Sequence, residues 1–137
     1  MARIPEEVQE LFKKAPDVVF ATANEQGQPN ASIVGMKAIL DDETVYLSDQ
    51  FFNKTLANIK VNSKCSLVFW EKNEAYQLYG TIEYVSDGNE VFAAQSEWVN
   101  AAFEKMGMPI KAKGGCVIKI TNVFTSKPGP TAGDKIA

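Results

Sequence analysis

Histidine is absent from this 137-residue chain, and Arg3 is its only arginine. Without histidine, the chain cannot build a Ser-His-Asp or Cys-His catalytic unit, an HExxH zinc site or a histidine-ligated haem. With a single arginine it has no guanidinium cluster to grip a phosphate or carboxylate group. An anion would therefore have to be held by lysine, by hydroxyl groups or by backbone amides.

Cysteine and basic charge are also scarce. Cys65 and Cys116 are too few for a disulfide framework or a zinc cluster, and their apolar surroundings predict buried thiols. The net charge of −3 provides no broad basic field, so we expect no nucleic-acid partner. No stretch is apolar enough for a signal peptide or a membrane span, which predicts a cytoplasmic protein without membrane contact.

The composition, 45% apolar and 23% charged, is that of one globular domain. Apolar periodicity predicts three helices, at 5–14, 53–62 and about 90–106. It also predicts six strands, at 18–23, 30–40, 44–48, 65–70, 76–85 and 116–124. No βαβ repetition runs through this order, so it favours a mainly-β fold, a small six-stranded antiparallel barrel with peripheral helices. Residues 1–125 would form the domain, and residues 126–137, rich in Gly and Pro, a flexible tail.

Two elements allow finer predictions. The strand over 65–70 is apolar throughout, so we expect burial on both of its faces. Asp87 stands three residues before Glu90, which is the spacing of a capping box for the third helix. That helix should bury a stripe formed by Val91, Ala94, Trp98 and Ala102.

The most informative segment for chemistry is 48–55, where a strand ends, a loop turns and a helix begins. The first amides of a helix have no partner inside it, so a phosphate placed there would meet free donors and the positive end of the helix dipole. Lys54 adds a full charge and Thr55 a hydroxyl group. The segment alone favours a plainer interpretation, in which Asn53 is an ordinary N-cap and Lys54 a solvated side chain.

Three further residues have both a functional and a structural interpretation. Ser32 and Gly35 are small, which would let a flat ring approach the backbone of their strand, but packing between strands favours small residues equally. Gln77 could form a hydrogen bond to a ring edge or could simply face solvent.

The order of these elements, with Asn-Lys-Thr-x-x-Asn-Ile at 53–59 and Leu-Tyr-Gly at 78–80, resembles the pyridoxamine 5′-phosphate oxidase-like family of FMN-binding split barrels over residues 5–124. The resemblance implies an antiparallel split β-barrel that forms a homodimer, with FMN at the subunit interface. It implies that Lys54 and Thr55 hold the phosphate, with Asn53 beneath it. The other positions it places around the phosphate and the isoalloxazine ring are Ser32, Ile33, Val34, Ser48, Asp49, Gln50 and Gln77.

The activity implied by the resemblance is that of an FMN-dependent oxidoreductase with an unknown small-molecule substrate or electron donor. A non-catalytic flavin carrier or redox sensor, a deazaflavin-dependent reductase and a barrel without ligand are the alternatives. The family's oxidase grips its substrate with arginine and histidine, whereas this chain has no histidine and its Arg3 lies outside the barrel. Pyridoxamine phosphate and histidine-bound haem are therefore not expected here.

Overall fold

The computed structural model describes all 137 residues, as three helices and seven strands. The helices are α1 (Glu6–Lys14), α2 (Lys54–Val61) and α3 (Glu90–Lys105). The strands are β1 (Val18–Ala23), β2 (Pro29–Val34), β3 (Lys37–Asp41), β4 (Thr44–Asp49), β5 (Lys64–Glu71), β6 (Glu74–Val85) and β7 (Gly114–Thr125). None of the helices combines the length and the apolar character that a membrane crossing requires.

All seven strands form one antiparallel sheet in the order β2-β1-β5-β6-β7-β4-β3. The two edge strands, β2 and β3, follow each other in the chain and are separated only by Gly35 and Met36. The sheet must therefore curl until its edges approach each other, and this closes it into a barrel. The predicted mainly-β, antiparallel split-barrel fold is confirmed.

The predicted number of six strands is wrong, because the segment 30–40 is two strands rather than one. The first part pairs with β1 and the second with β4, so the chain changes partner at Gly35 and Met36. A Cβ atom on Gly35 would lie 3.1 Å from the Asp17 carboxylate, and the Met36 carbonyl accepts a hydrogen bond from the Ser48 amide at 2.9 Å. The break thus depends on contacts with distant segments, which the local pattern does not contain.

The barrel interior holds a cluster of 20 buried apolar residues. Helix α1 contributes Val8 and Phe12 to it, and the Phe12 ring packs edge-on against Phe69 with centroids 5.3 Å apart. Cys65 and Cys116 are both buried, as predicted. Burial raises the pKa of the Cys65 thiol to about 12, so the reactive thiolate is disfavoured at neutral pH.

Strand β5 is buried on one face only, which contradicts the prediction for 65–70. Leu67 and Phe69 point into the core, whereas the Trp70 side chain is 52% exposed. The alternate residues of the strand, Ser66 and Val68, point outward and are only partly buried.

Helix α3 uses a different face and a different cap from those predicted. Its buried residues are Phe92, Val99 and Phe103, while Trp98 of the predicted stripe is 38% exposed. The cap is Asn89, whose side chain accepts a hydrogen bond from the Phe92 amide at 3.0 Å. The helix is apolar on two sides, so its periodicity did not identify the side that faces the barrel.

Residues 126–137 run back along β7. The Gly133 amide donates to the Thr125 carbonyl at 2.8 Å, and the Ile136 amide to the Val123 carbonyl at 2.7 Å. The flexibility of this tail stays a prediction. Any motion of the tail away from β7 would have to break these hydrogen bonds.

Candidate functional site: an anion-accepting groove

A groove of about 430 Å³ lies where β2, the end of β4 and the start of α2 meet, with Phe103 of α3 on one side. The predicted site residues that line this groove are Ser32, Ile33, Val34, Ser48, Gln50, Asn53, Lys54 and Thr55. Its other lining residues are Asn30, Ala31, Gly35, Met36, Phe51, Phe52 and Phe103. The structure thus brings together in space segments that the sequence separates by some 20 residues.

One end of the groove is the first turn of α2. Asn53 occupies the cap position, but its side chain makes no capping hydrogen bond. The first bond of the helix runs from the Ala57 amide to the Asn53 carbonyl at 3.1 Å, so the amides before Ala57 have no helical partner. Because Asn53, Lys54 and Thr55 line the groove, an anion there would meet these donors and the positive end of the dipole.

Hydroxyl and amide side chains connect α2 to β2 beside this turn. Thr55 is only 3% exposed, and its Oγ1 accepts a hydrogen bond from Asn30 Nδ2 at 3.1 Å and lies 3.1 Å from Ser32 Oγ. Sequence reasoning missed Asn30. Its signal was present, because Asn30 and Ser32 are two residues apart on one strand and therefore share a face.

Polar atoms without partners lie deeper in the groove. Ser48 is 2% exposed, and its Oγ has no hydrogen-bond partner; the same holds for Oε1 of the half-buried Gln50. A buried polar group left unpaired costs about 1–3 kcal/mol, so such groups are rare in folded proteins. Both residues line the groove, so a rotation of each side chain towards the groove would let a ligand's hydrogen-bonding atoms pair with it.

The mouth of the groove is apolar and carries one unpaired cation. Ile33 and Phe51 are each 73% exposed, and exposed apolar side chains of this size at a cleft are typical of binding surfaces. Lys54 takes part in none of the three ion pairs of the chain. Its ammonium group is therefore available to an anionic ligand.

Asp49, a predicted site residue, lies outside the groove and holds the turn that leads to α2. The residue is fully buried, and its carboxylate accepts hydrogen bonds from the Phe52 amide at 2.9 Å and from the Tyr84 hydroxyl at 2.5 Å. Burial, and then this carboxylate, raise the pKa of Tyr84. Asp49 therefore shapes the site from behind without lining it.

Gln77, the other predicted residue outside the groove, lies on the outer face of the sheet. Its Nε2 donates a hydrogen bond to Ser66 Oγ at 2.9 Å. The strand register places it in a row Ile33–Val19–Val68–Gln77, three strand spacings or about 14 Å from Ile33. Gln77 therefore does not line the groove of its own chain, and its contact with a ligand stays a prediction.

The groove offers binding but little acid–base chemistry. Lys54 is the only titratable side chain that lines it. No group of three or more His, Cys, Asp or Glu residues is arranged to hold a metal ion. The side chains are suited to fix an anionic, partly apolar ligand with a polar edge.

The fold and the groove together describe an antiparallel split-barrel protein with a candidate anion site at the start of α2. The sequence profile of the pyridoxamine 5′-phosphate oxidase family matches residues 4–127, so the chain belongs to this family. It is 39% identical over 125 residues to an uncharacterized protein from Methanocaldococcus jannaschii, an alignment that covers 88% of this chain and 80% of that protein.

Solved structures share the fold at low sequence identity. HupZ from Group A Streptococcus superposes with a TM-score of 0.77 at 24% identity, covering 95% of this chain and 99% of HupZ. An FMN-binding protein from Syntrophomonas wolfei gives a TM-score of 0.74 at 17% identity, covering 88% and 84% of the two chains. An F420 reductase and a heme storage protein from Vibrio cholerae also share the fold, with TM-scores of 0.65 and 0.67. Proteins of this fold therefore differ in what they bind.

Proposed function

We propose that this chain binds FMN in the groove and works as an FMN-dependent oxidoreductase on a small molecule. The observation that carries the proposal is the combination of features in one cavity. Unpaired helix amides and Lys54 form an anion site at one end, and the unpaired polar atoms of Ser48 and Gln50 lie further in. FMN has a phosphate at one end and, at the other, a flat ring with a polar edge of carbonyl and N–H groups.

The assignment of roles follows from this match. The first amides of α2, Lys54 and the Thr55 hydroxyl would hold the phosphate, with Ser32 beside them. Ser48 and Gln50 would satisfy their free polar atoms on the polar edge of the ring, and the apolar Ile33 and Val34 would lie along it. The groove of about 430 Å³ falls within the range of small-molecule sites.

When bound, FMN supplies hydride and electron transfer, and the protein positions it. A second candidate, a non-catalytic flavin carrier or redox sensor, is favoured by the absence of any acid or base in the groove other than Lys54. Steady-state turnover with NADH and a dye acceptor separates the two, because a carrier would give no turnover above that of free FMN.

Of two other cofactors known from this fold, a deazaflavin suits the groove as FMN does, whereas haem is less well supported. A deazaflavin carries the same polar ring edge as FMN, so the groove accepts either ring, and the mass of the released cofactor distinguishes them. The edge of haem has no N–H group that could donate a hydrogen bond to the unpaired Gln50 oxygen. The chain also has no histidine that could ligate the haem iron. FMN therefore remains the first choice.

We also propose that the protein is a homodimer that borders FMN from both subunits. The outer face of the sheet presents a row of side chains that are exposed or only partly buried: Ile33, Val19, Val68, Gln77 and Phe124. Ile33 belongs both to this row and to the groove. A second copy packed on this face would therefore reach the mouth of the groove and could bring its own Gln77 there. A cytoplasmic location stays a prediction.

The central test is the FMN affinity of Lys54→Ala. Loss of one charge-assisted contact with a phosphate should raise the Kd about tenfold or more. Lys60→Ala is the matched control, because Lys60 is an exposed lysine in the last turn of the same helix and does not line the groove. The control should stay within about twofold of the wild type, and an equal affinity for the Lys54 variant would contradict the site.

A further inference from the structure

Lys113, which immediately precedes β7, is bound to the turn between β4 and α2 at two points. Its backbone amide donates to the Asp49 carbonyl at 2.9 Å, and its ammonium Nζ donates to the Phe52 carbonyl at 3.2 Å. Phe52 lines the groove and directly precedes Asn53, the cap of α2. A residue 61 positions further along the chain thus places a positive charge one residue before the anion site.

The ammonium group of Lys113 lacks a negative partner. Lys113 takes part in none of the three ion pairs, and its only acceptor is a neutral carbonyl. The nearest buried carboxylate, that of Asp49, is already engaged by the Phe52 amide and the Tyr84 hydroxyl. No carboxylate lines the groove itself. The cation is therefore free to exchange its present acceptor for a stronger one.

Lys54 alone would not neutralise the charge of a phosphate bound at the first turn of α2. A phosphate monoester carries about −1.5 to −2 charges near neutral pH, and Lys54 is the only cation that lines the groove. Lys113 has a flexible four-carbon stem, so its ammonium can leave the Phe52 carbonyl and reach past the turn. A second, independent sign of a ligand here is the buried and unpaired Ser48 hydroxyl in the same groove.

We propose that Lys113 is the second cation of the phosphate site and pairs with the phosphate together with Lys54. On binding, its ammonium exchanges the Phe52 carbonyl for a phosphate oxygen. This inference rests on the proposed function, since it takes FMN as the ligand. It also makes cofactor binding depend on the segment between α3 and β7, which is distant in sequence from α2 and its phosphate-binding first turn.

Riboflavin separates a phosphate contact from a purely structural role, because it has the ring and ribityl chain of FMN without the phosphate. The experiment measures the Kd of both ligands, by quenching of flavin fluorescence, for the wild type, Lys113→Gln and Lys119→Gln. The control Lys119 is exposed and pairs with Thr44, five residues or roughly 17 Å along β4 from Asp49. Both substitutions remove the same charge.

Lys113→Gln should raise the Kd for FMN about fivefold, as expected for one exposed charge pair, and leave the Kd for riboflavin unchanged. Lys113→Arg should keep the preference for FMN, and Lys119→Gln should change neither affinity. An FMN affinity of Lys113→Gln equal to that of the control would overturn the inference, and so would an equal loss for both ligands. A wild type that does not prefer FMN to riboflavin would instead refute the proposed function, so the two failures are distinguishable.

Discussion

Replacing Tyr84 with phenylalanine removes the hydroxyl group that donates to the buried Asp49 carboxylate and leaves the ring in place. The donor and acceptor oxygens are 2.5 Å apart, and Asp49 is completely buried, so no water can replace the lost donor without a rearrangement. A hydrogen bond to a charged group contributes about 1.5–3 kcal/mol. We expect the free energy of unfolding to fall by about 2–3 kcal/mol, which corresponds to roughly 6–12 °C in Tm for a domain of this size.

Urea unfolding followed by circular dichroism measures this loss, with Tyr76→Phe as the matched control. The Tyr76 hydroxyl donates to Glu74 at the surface over 3.3 Å, so its removal should cost less than about 0.5 kcal/mol. If the two variants lost the same stability, the reasoning about the buried carboxylate would be refuted. The Tyr84 variant should also bind FMN more weakly, because Asp49 holds the turn before α2.

Three other predictions concern the barrel and its outer face. Gly115→Ala should cost more than about 2 kcal/mol of stability in the same urea assay, since the new Cβ would collide with the hydroxyl end of the buried Tyr46 ring. Wild-type stability would show that this packing is wrong. Burial raises the pKa of Tyr46 to about 12 and also raises the pKa of Tyr84, so ionisation of these phenols favours the unfolded chain. The free energy of unfolding should therefore fall as the pH rises above 10, and an unchanged free energy of unfolding between pH 9 and 11 would contradict this. Val68→Lys should convert the proposed homodimer to a monomer in light scattering, whereas Glu83→Lys, at an exposed position of β6, should not. A dimer that persists in the Val68 variant would exclude this face as the interface.

Much of the fold could be predicted because local patterns carry it. The alternation over 76–85 separates Leu78 and Ile82 from Tyr79 and Thr81 onto opposite faces, and the structure buries the first pair and exposes the second. The break at Gly35 and the burial of only one face of β5 could not be predicted in this way. Both depend on which strands become neighbours across the barrel, and that information is not local in sequence.

Helix α3 and Asp49 illustrate the same limit at the level of single residues. The helix has apolar residues on two sides, and only its packing against the barrel, which buries Phe92, Val99 and Phe103, determines which side is inner. Asp49 lies between two groove residues, Ser48 and Gln50, but alternation along β4 turns its side chain the other way, towards Tyr84. The sequence alone does not show that this one residue of the segment faces away from the groove.

The most direct test of the account is the absorption spectrum of the freshly purified protein, followed by mass analysis of the released cofactor and titration of the emptied protein with FMN. We predict the visible absorption of an oxidised flavin, the mass of FMN, and binding of one FMN per chain. A colourless protein that fails to bind added FMN, or one that releases haem, would contradict the proposal that this groove is a flavin site.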